Sequence, residues 1–200
     1  MEKYLALFRR KPGTTREEYH DHYVNVHSPL GMRLMGGIEG YTVNLVKDGG
    51  DDVDAVTEVW TQSVIDLQNG KTFATAEERA LVVQDHVSFM GPGDSFVVQE
   101  AVLVEGALQP SVGDGAWAKA VLLYGPGEKP GEPPAGAARV VDNRVIRVLS
   151  IRDKHAEDGN LEGAPVALIR MVWANDPALL PAPNARTLIV RERVNVVLGA

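Results

Sequence analysis

Residues 8–31 read FRRKPGTTREEYHDHYVNVHSPLG, and this stretch decides the fold of the chain. It begins at the end of a compact apolar run, residues 4–9, which is typical of a β-strand. Lys11, Pro12 and Gly13 follow, and proline and glycine interrupt regular structure. The sequence therefore predicts a strand that ends in a sharp turn before the next element begins.

The second part of this stretch predicts a helix. Thr14 and Thr15 each have a glutamate three residues later, so either threonine can form a capping box at a helix start. Pro29 disfavours helical geometry at the residue before it. We predict a helix from about Thr15 to about His27, with Tyr19, Tyr23 and Val26 as the apolar stripe that packs on a sheet.

The rest of the first half predicts three more strands and two more helices. Strands are predicted at residues 41–46, 55–60 and 96–104, with a short helix at residues 63–69. A second capping box at Thr75 opens a helix that should end near Asp85 or His86. The order strand, helix, strand, strand, helix, strand is the ferredoxin-like βαββαβ pattern.

The second half repeats the strands of the first half without the helices. Strand signals recur at residues 119–127, 145–151, 168–173 and 186–199, but the segments between them are too rich in proline and glycine for full helices. We predict an α+β fold in which two ferredoxin-like repeats, residues 1–108 and 116–200, are joined by a linker at about residues 109–115. A sheet with helices on one face must bury its other face. The two sheets should therefore pack together or close into an intrachain pseudo-dimeric α/β barrel, with a space between them.

Composition excludes several classes of function. The 200 residues contain no cysteine, so disulfides, thiolate metal sites and thiol nucleophiles are excluded. The formal net charge of -7 argues against a nucleic-acid partner, which needs clustered Lys and Arg. No apolar run approaches the length of a membrane span, and the N-terminus lacks the order of a signal peptide. We expect a soluble, cytoplasmic protein without a membrane partner.

The first half resembles the EthD family of dimeric α/β-barrel proteins. The resemblance rests on residues 8–31, on GYTVNL and TEVW in the next two strands, and on QDHVSF at residues 84–89. It implies a fused pseudo-dimer with one surviving pocket, because the second half lacks the His-x-Pro helix and the Asp-His pair. Relatives in this superfamily include cofactor-free lyases, dehydratases, cyclases and isomerases, some oxygenases, haem-handling proteins and proteins without known activity. The fold alone chooses none of these.

Three histidines crowd the first predicted helix. His20 lies away from the apolar stripe, and we expect it to be solvated. His27 at the helix end is either a simple C-terminal cap favoured by the helix dipole or a general acid or base. The EthD resemblance favours the catalytic interpretation. We assign His22 to the wall of the same pocket.

Asp85 is the third candidate catalytic residue beside His27 and His22. An aspartate can hold the tautomer of a histidine and stabilise its charged form. Neighbouring residues on a helix point apart, so Asp85 is not expected to pair with His86. It can instead meet a histidine of the first helix if the two helix ends converge.

Substrate contacts are predicted from the strand aromatics and from polar residues near them. A chamber between the sheets would suit a flat apolar or aromatic ligand. Asn44 and Glu58 interrupt apolar strands and face either water or the chamber. The predicted substrate-binding residues are Phe8, Tyr41, Asn44, Trp60 and His86.

We predict no metal site and no cofactor. His20 and His22 diverge by about 100° per residue on a helix, so they do not converge on one ion.

The leading functional hypothesis is a cofactor-independent lyase, dehydratase, cyclase or isomerase that uses histidine acid–base chemistry on a small hydrophobic or aromatic oxygenated compound. The alternative is a non-catalytic binding protein for such a molecule, and the third is a cofactor-free oxygenase or haem-handling protein. The protein is expected to be a pseudo-dimeric monomer or a homodimer.

Overall fold

Eight long strands form a closed antiparallel barrel in the computed structural model, which describes residues 1–50, 52–106, 112–152, 154–155, 165–184 and 186–196. Two further strands have only two residues each. The strands are β1 (Glu2–Phe8), β2 (Ile38–Asp48), β3 (Ala55–Thr61), β4 (Asp94–Val104), β5 (Gly113–Asp114), β6 (Ala118–Tyr124), β7 (Arg139–Ile151), β8 (Lys154–His155), β9 (Leu168–Ala174) and β10 (Thr187–Val196).

The strand order is the same in both halves of the barrel. It runs β2-β3-β1-β4 in the first half and β7-β9-β6-β10 in the second, and β10 pairs with β2 to close the ring. The registers also correspond: Lys3 lies opposite Trp60 between β1 and β3, and Lys119 lies opposite Trp173 between β6 and β9. The predicted α+β fold, an α/β barrel closed within one chain, is confirmed.

The division into residues 1–108 and 116–200 stays a prediction. Residues 109–111 of the expected linker lie outside the described residues. At its other end Gly113–Asp114 pairs with β10, so this part of the segment is a short strand of the sheet and not a free linker.

The first helical region begins where predicted but does not end there. Thr15 is the N-cap of α1 (Arg16–His22), and the capping box with Glu18 is formed. A π-helical segment (Tyr23–His27) and α2 (Ser28–Leu34) continue it. The predicted stop at Pro29 is wrong, because the helical backbone continues through this proline into α2 after a π-helical segment that shifts the hydrogen bonds by one residue.

The π-helical segment changes which side chains face the sheet. A π turn contains one residue more than an α turn, so the buried positions shift by one along the sequence. Val26, which the regular α pattern places on the sheet, is 45% exposed. Ser28 is buried instead, and His27 is only 12% exposed.

Two more helices cover the first half, α3 (Val64–Gln68) and α4 (Ala76–Phe89). Thr75 caps α4 with the predicted capping box, and α4 extends beyond the predicted end at Asp85 or His86 to Phe89. Within the described part of the second half, helical structure is limited to one 3-10 turn, Pro177–Leu179. None of the helices in the described ranges is long and apolar enough to cross a membrane.

The barrel interior is filled by side chains, so the expected open chamber between the sheets is wrong. An eight-stranded barrel is just wide enough for its inward-facing side chains to meet. The buried residues of this interior cluster include Leu5, Leu7, Val46, Val56, Phe96, Val98, Val121, Leu123, Val141, Ile169, Met171, Leu188 and Val190. A second cluster lies on the outer face, between the helices and strands β1 to β3, and includes Tyr19, Tyr23, Tyr41, Val43, Val59 and Phe89.

Candidate functional site

Asp85 bridges two histidines on the outer side of the barrel. Its Oδ1 lies 2.8 Å from Nε2 of His22, and its Oδ2 lies 2.7 Å from Nδ1 of His27. His22 ends α1, His27 ends the π-helical segment, and Asp85 comes from α4. The predicted meeting of Asp85 with a histidine of the first helix is confirmed, and it involves both histidines.

The hydrogen bonds fix where the protons lie. An ionised carboxylate only accepts, so each histidine donates the proton on the nitrogen that faces Asp85. His27 therefore carries its proton on Nδ1, and Nε2 is its basic nitrogen.

Burial and the Asp85 carboxylate shift the pKa of His27 in opposite directions. Burial lowers the pKa of His27, and the hydrogen bond and charge of Asp85 offset this only in part, so the net shift is downward. Burial alone would raise the pKa of Asp85, but the hydrogen bonds from His27 and His22 lower it overall. The resting state at neutral pH is a neutral His27 beside an ionised Asp85.

Aromatic rings surround this pair of histidines. The ring of Phe89 lies 4.4 Å from the ring of His22 and 5.1 Å from that of His27, measured between centroids. Tyr23 meets His27 edge-on at 5.4 Å. The sequence analysis missed Phe89 as a site residue, although its spacing of four residues from Asp85 places both on one face of α4.

His86 and Phe8 extend the site on its other side. The ring of His86 lies 5.6 Å from that of His27, and Phe8 meets His86 edge-on at 5.4 Å. The site therefore brings together one carboxylate, three imidazoles and several aromatic rings. Such surroundings suit proton transfer on an apolar or aromatic molecule.

Buried hydroxyl groups lie beneath the histidines. The hydroxyls of Tyr23 and Thr57 are 2.6 Å apart, and those of Ser28 and Tyr41 are 3.1 Å apart. Burial raises the pKa of Tyr41, so its hydroxyl stays protonated. Tyr41 is buried between the sheet and the helices. Its assignment to substrate contact remains a prediction.

The other predicted substrate-binding residues face the barrel interior instead. Asn44 is fully buried there, and its Nδ2 donates to the carbonyl of Val56 and to the carboxylate of Glu58. Trp60 donates its indole N–H to Glu100 at 3.0 Å. The strand wall separates both side chains from His27, because residues of alternating parity face opposite sides of a strand.

His20 is not solvated as predicted. Its Nε2 donates to the backbone carbonyl of Asp54 at 3.2 Å, and its ring lies 6.0 Å from that of Tyr19. Burial lowers the pKa of His20. The α1 helix packs closely enough on the end of β3 to half-bury this face.

One end of the barrel interior holds charged residues, of which the sequence analysis singled out Glu58 alone. This interior ion cluster consists of Lys3, Glu58, Glu100, Lys119 and Glu192. The two lysines also lie over indole rings, Lys3 at 4.4 Å from the centroid of Trp60 and Lys119 at 4.1 Å from that of Trp173. Strand periodicity is the sequence signal that could have identified both lysines. Each lies an even number of residues from inward-facing apolar residues of its own strand.

Over the described ranges, no group of three or more His, Asp or Glu residues is placed to hold a metal ion. The two histidines bound to Asp85 use the carboxylate as a hydrogen-bond acceptor.

Comparisons with known proteins agree with this architecture. Residues 11–93 match the family model described as EthD domain, a segment that holds His22, His27, Asp85 and His86 and spans less than half of the 200 residues. The predicted resemblance is confirmed for this segment, while a decayed repeat as the origin of the second half stays a prediction. A search of curated proteins finds no match.

One solved structure shares the fold over nearly its whole length. It is described as a "Crystal structure study of anthrone oxidase-like protein" and aligns over 100% of this chain and 96% of its own, with a TM-score of 0.57 and 13% sequence identity. Similarity at this level of identity supports the barrel fold and assigns no reaction.

Proposed function

We propose that the protein is a cofactor-independent enzyme of the lyase, dehydratase, cyclase or isomerase type, with His27 as its general base. One observation carries this proposal: the Asp85 carboxylate accepts the Nδ1 proton of His27 at 2.7 Å within a largely buried aromatic setting. This arrangement presents a neutral imidazole with a defined basic nitrogen.

The proposed step is the removal of a proton from a carbon next to a carbonyl group or from a hydroxyl. Nε2 of His27 accepts the proton, and the negative charge of Asp85 stabilises the imidazolium that forms. His22 donates to the other oxygen of Asp85, which holds the carboxylate in place and ionised. Eliminations, cyclisations and isomerisations share this proton transfer as their first step.

The proposed substrate is a small hydrophobic or aromatic compound that carries oxygen. The rings of Phe8, Tyr23 and Phe89 next to the two histidines support this class. The structural neighbour is described as anthrone oxidase-like. Anthrone, a planar aromatic ketone with acidic methylene hydrogens, is therefore a suitable probe for proton abstraction.

The test is solvent exchange of the anthrone methylene hydrogens in D₂O, followed by ¹H NMR without oxygen. The wild-type protein should accelerate exchange over the buffer rate. His27→Ala should reduce this acceleration by about two to four orders of magnitude. His20→Ala is the matched control on the same helical stretch, since His20 binds a backbone carbonyl away from Asp85, and it should retain exchange.

Two results would contradict the proposal. Equal exchange by wild type and His27→Ala would remove His27 as the base. Saturable binding of anthrone without any exchange above buffer would instead support the non-catalytic binding protein.

A further inference from the structure

An open groove of about 420 Å³ lies on the outer surface of the second half, where β6 ends beside the start of β10. A volume of this size is in the usual range for a small-molecule site. The groove is lined by Leu122, Leu123, Tyr124, Glu128, Lys129, Asn184, Arg186 and Thr187. No histidine is among these lining residues, so the groove is chemically different from the His27 site.

The groove lies in the second half, at the position that corresponds to the end of α4 in the first half. Phe8 ends β1 and Tyr124 ends β6, and the matching strand registers make these two residues counterparts. In the first half, the chain at the end of α4 covers Phe8: His86 contacts its ring, and Lys11 donates its backbone N–H to the carbonyl of Phe89. Between β9 and β10 the described residues form only a 3-10 turn, so Tyr124 lacks such a helix above it.

The floor of the groove is apolar and partly buried. Leu122 and Tyr124 contribute side chains from β6, and Thr187 at the start of β10 is buried. Burial raises the pKa of Tyr124, so its hydroxyl remains a hydrogen-bond donor at neutral pH. A flat apolar ring would bury surface against these side chains.

The rim of the groove carries an excess of positive charge. Lys129 and Arg186 face it together with a single carboxylate, that of Glu128. Glu128 Oε2 accepts the backbone N–H of Gly125 at 2.6 Å and lies 4.0 Å from Nη1 of Arg186, so the ion pair is loose. The guanidinium of Arg186 is about half exposed and can form a bidentate pair with an incoming anion.

We propose that this groove binds a small organic anion with an apolar ring, its carboxylate on Arg186 and Lys129 and its ring over Leu122 and Tyr124. The site binds such a ligand without acid–base chemistry, because its lining offers no imidazole. It is independent of the proton transfer proposed at His27, on the opposite half of the barrel.

The experiment is a titration of the full chain with 1-naphthoate, followed by backbone amide shifts in ¹H–¹⁵N NMR spectra. Saturable shifts are expected at residues 122–124 and 186–187. The neutral 1-naphthylmethanol should bind at least about tenfold more weakly, because a charge-assisted hydrogen bond is roughly twice as strong as a neutral one.

Three substitutions outside the packed core sharpen the test. Arg186→Gln should weaken naphthoate binding by about tenfold or more, and Glu128→Gln should strengthen it several-fold by removing the competing negative charge. Arg139→Gln, at an arginine on β7 that pairs with Glu105, is the matched control and should leave the affinity unchanged. Equal affinity for the neutral analogue, shifts confined to the His27 site, or weaker binding by Glu128→Gln would each overturn the proposal.

Discussion

Lys3 and Lys119, one from each half of the chain, both bind the carboxylate of Glu58. Nζ of Lys3 lies 2.7 Å from one carboxylate oxygen, and Nζ of Lys119 lies 3.0 Å from the other. All three side chains are at least 96% buried. At the position that corresponds to Glu58, the second half has Met171, so one acid serves two lysines.

Substituting Glu58 should strongly destabilise the barrel. Glu58→Gln keeps the size of the side chain but leaves two buried ammonium groups with less compensation. Removing one partner of a buried ion pair costs about 3–5 kcal/mol, and we expect a loss near 3 kcal/mol since Glu100 and Glu192 remain. Urea denaturation followed by tryptophan fluorescence measures this, as Trp60 and Trp173 lie beside the lysines.

Glu105→Gln provides the control for that experiment. Glu105 pairs with Arg139 at 2.7 Å but is 73% exposed, and exposed pairs contribute about 0–1 kcal/mol. A loss for Glu58→Gln no larger than that for Glu105→Gln would show that the interior ion cluster adds nothing to stability.

The same carboxylate predicts how stability depends on pH. Burial would raise the pKa of Glu58, but the charges of Lys119 and Lys3 outweigh it and lower the pKa from 4.5 to about 2. A lowered folded-state pKa gives stability that is present above about 4.5 and is lost as pH falls towards 2. The free energy of unfolding should fall by about 3 kcal/mol over this window.

Chemical denaturation at pH values from 6 to 2 tests this expectation. Glu58→Gln has no carboxylate to protonate at this position, so its stability should fall less steeply between pH 4.5 and 2. Parallel curves for the two proteins would assign the acid sensitivity to other groups.

Asp85→Asn should change both the tautomer and the pKa of His27. Asp85 raises the pKa of His27 through a hydrogen bond and its charge, so removing that charge should lower it further. An asparagine can present either its oxygen or its NH₂ group, so the Nδ1–H tautomer is no longer enforced. Imidazole ¹⁵N shifts measure both effects, and an unchanged His27 spectrum would contradict the assigned hydrogen bond.

Thr15→Ala should cost about 1 kcal/mol of stability, because Thr15 caps α1 and its hydroxyl accepts the backbone N–H of Glu18. Thr14 has a glutamate at the same spacing but lies outside the cap. Thr14→Ala is therefore the matched control and should change stability by less than about 0.5 kcal/mol. Equal losses in urea denaturation would contradict the capping assignment.

Local sequence signals predicted the fold well where one physical cause dominates. The two capping boxes at Thr15 and Thr75 marked helix starts correctly, because a threonine with a glutamate at N3 satisfies free backbone groups at that point alone. Pro29 misled the prediction, because the π-helical segment before it shifts the backbone hydrogen bonds by one residue and lets the helix continue through the proline. At the start of a new turn proline is tolerated.

The candidate site was predictable only in part. The sequence allowed Asp85 to meet a histidine of the first helix if the two helix ends converge, and the structure places His27 in contact with Asp85. The inward turn of His27 depends on the π-helical segment, which has no simple residue signature. Asn44 was assigned to a ligand chamber, but the width of an eight-stranded barrel leaves its inside to packed side chains.

The pairing of β10 with β2 has a consequence for how copies of this chain meet. Each of the eight long strands already has a hydrogen-bonded neighbour on both sides, so within the described ranges the barrel offers no long unpaired strand to a second molecule. Extension of the sheet from copy to copy, the usual route to cross-β aggregates, is thereby blocked while the ring stays shut. A homodimer of this chain would then pair side chains on the outer surface of the barrel and not the edges of its eight long strands.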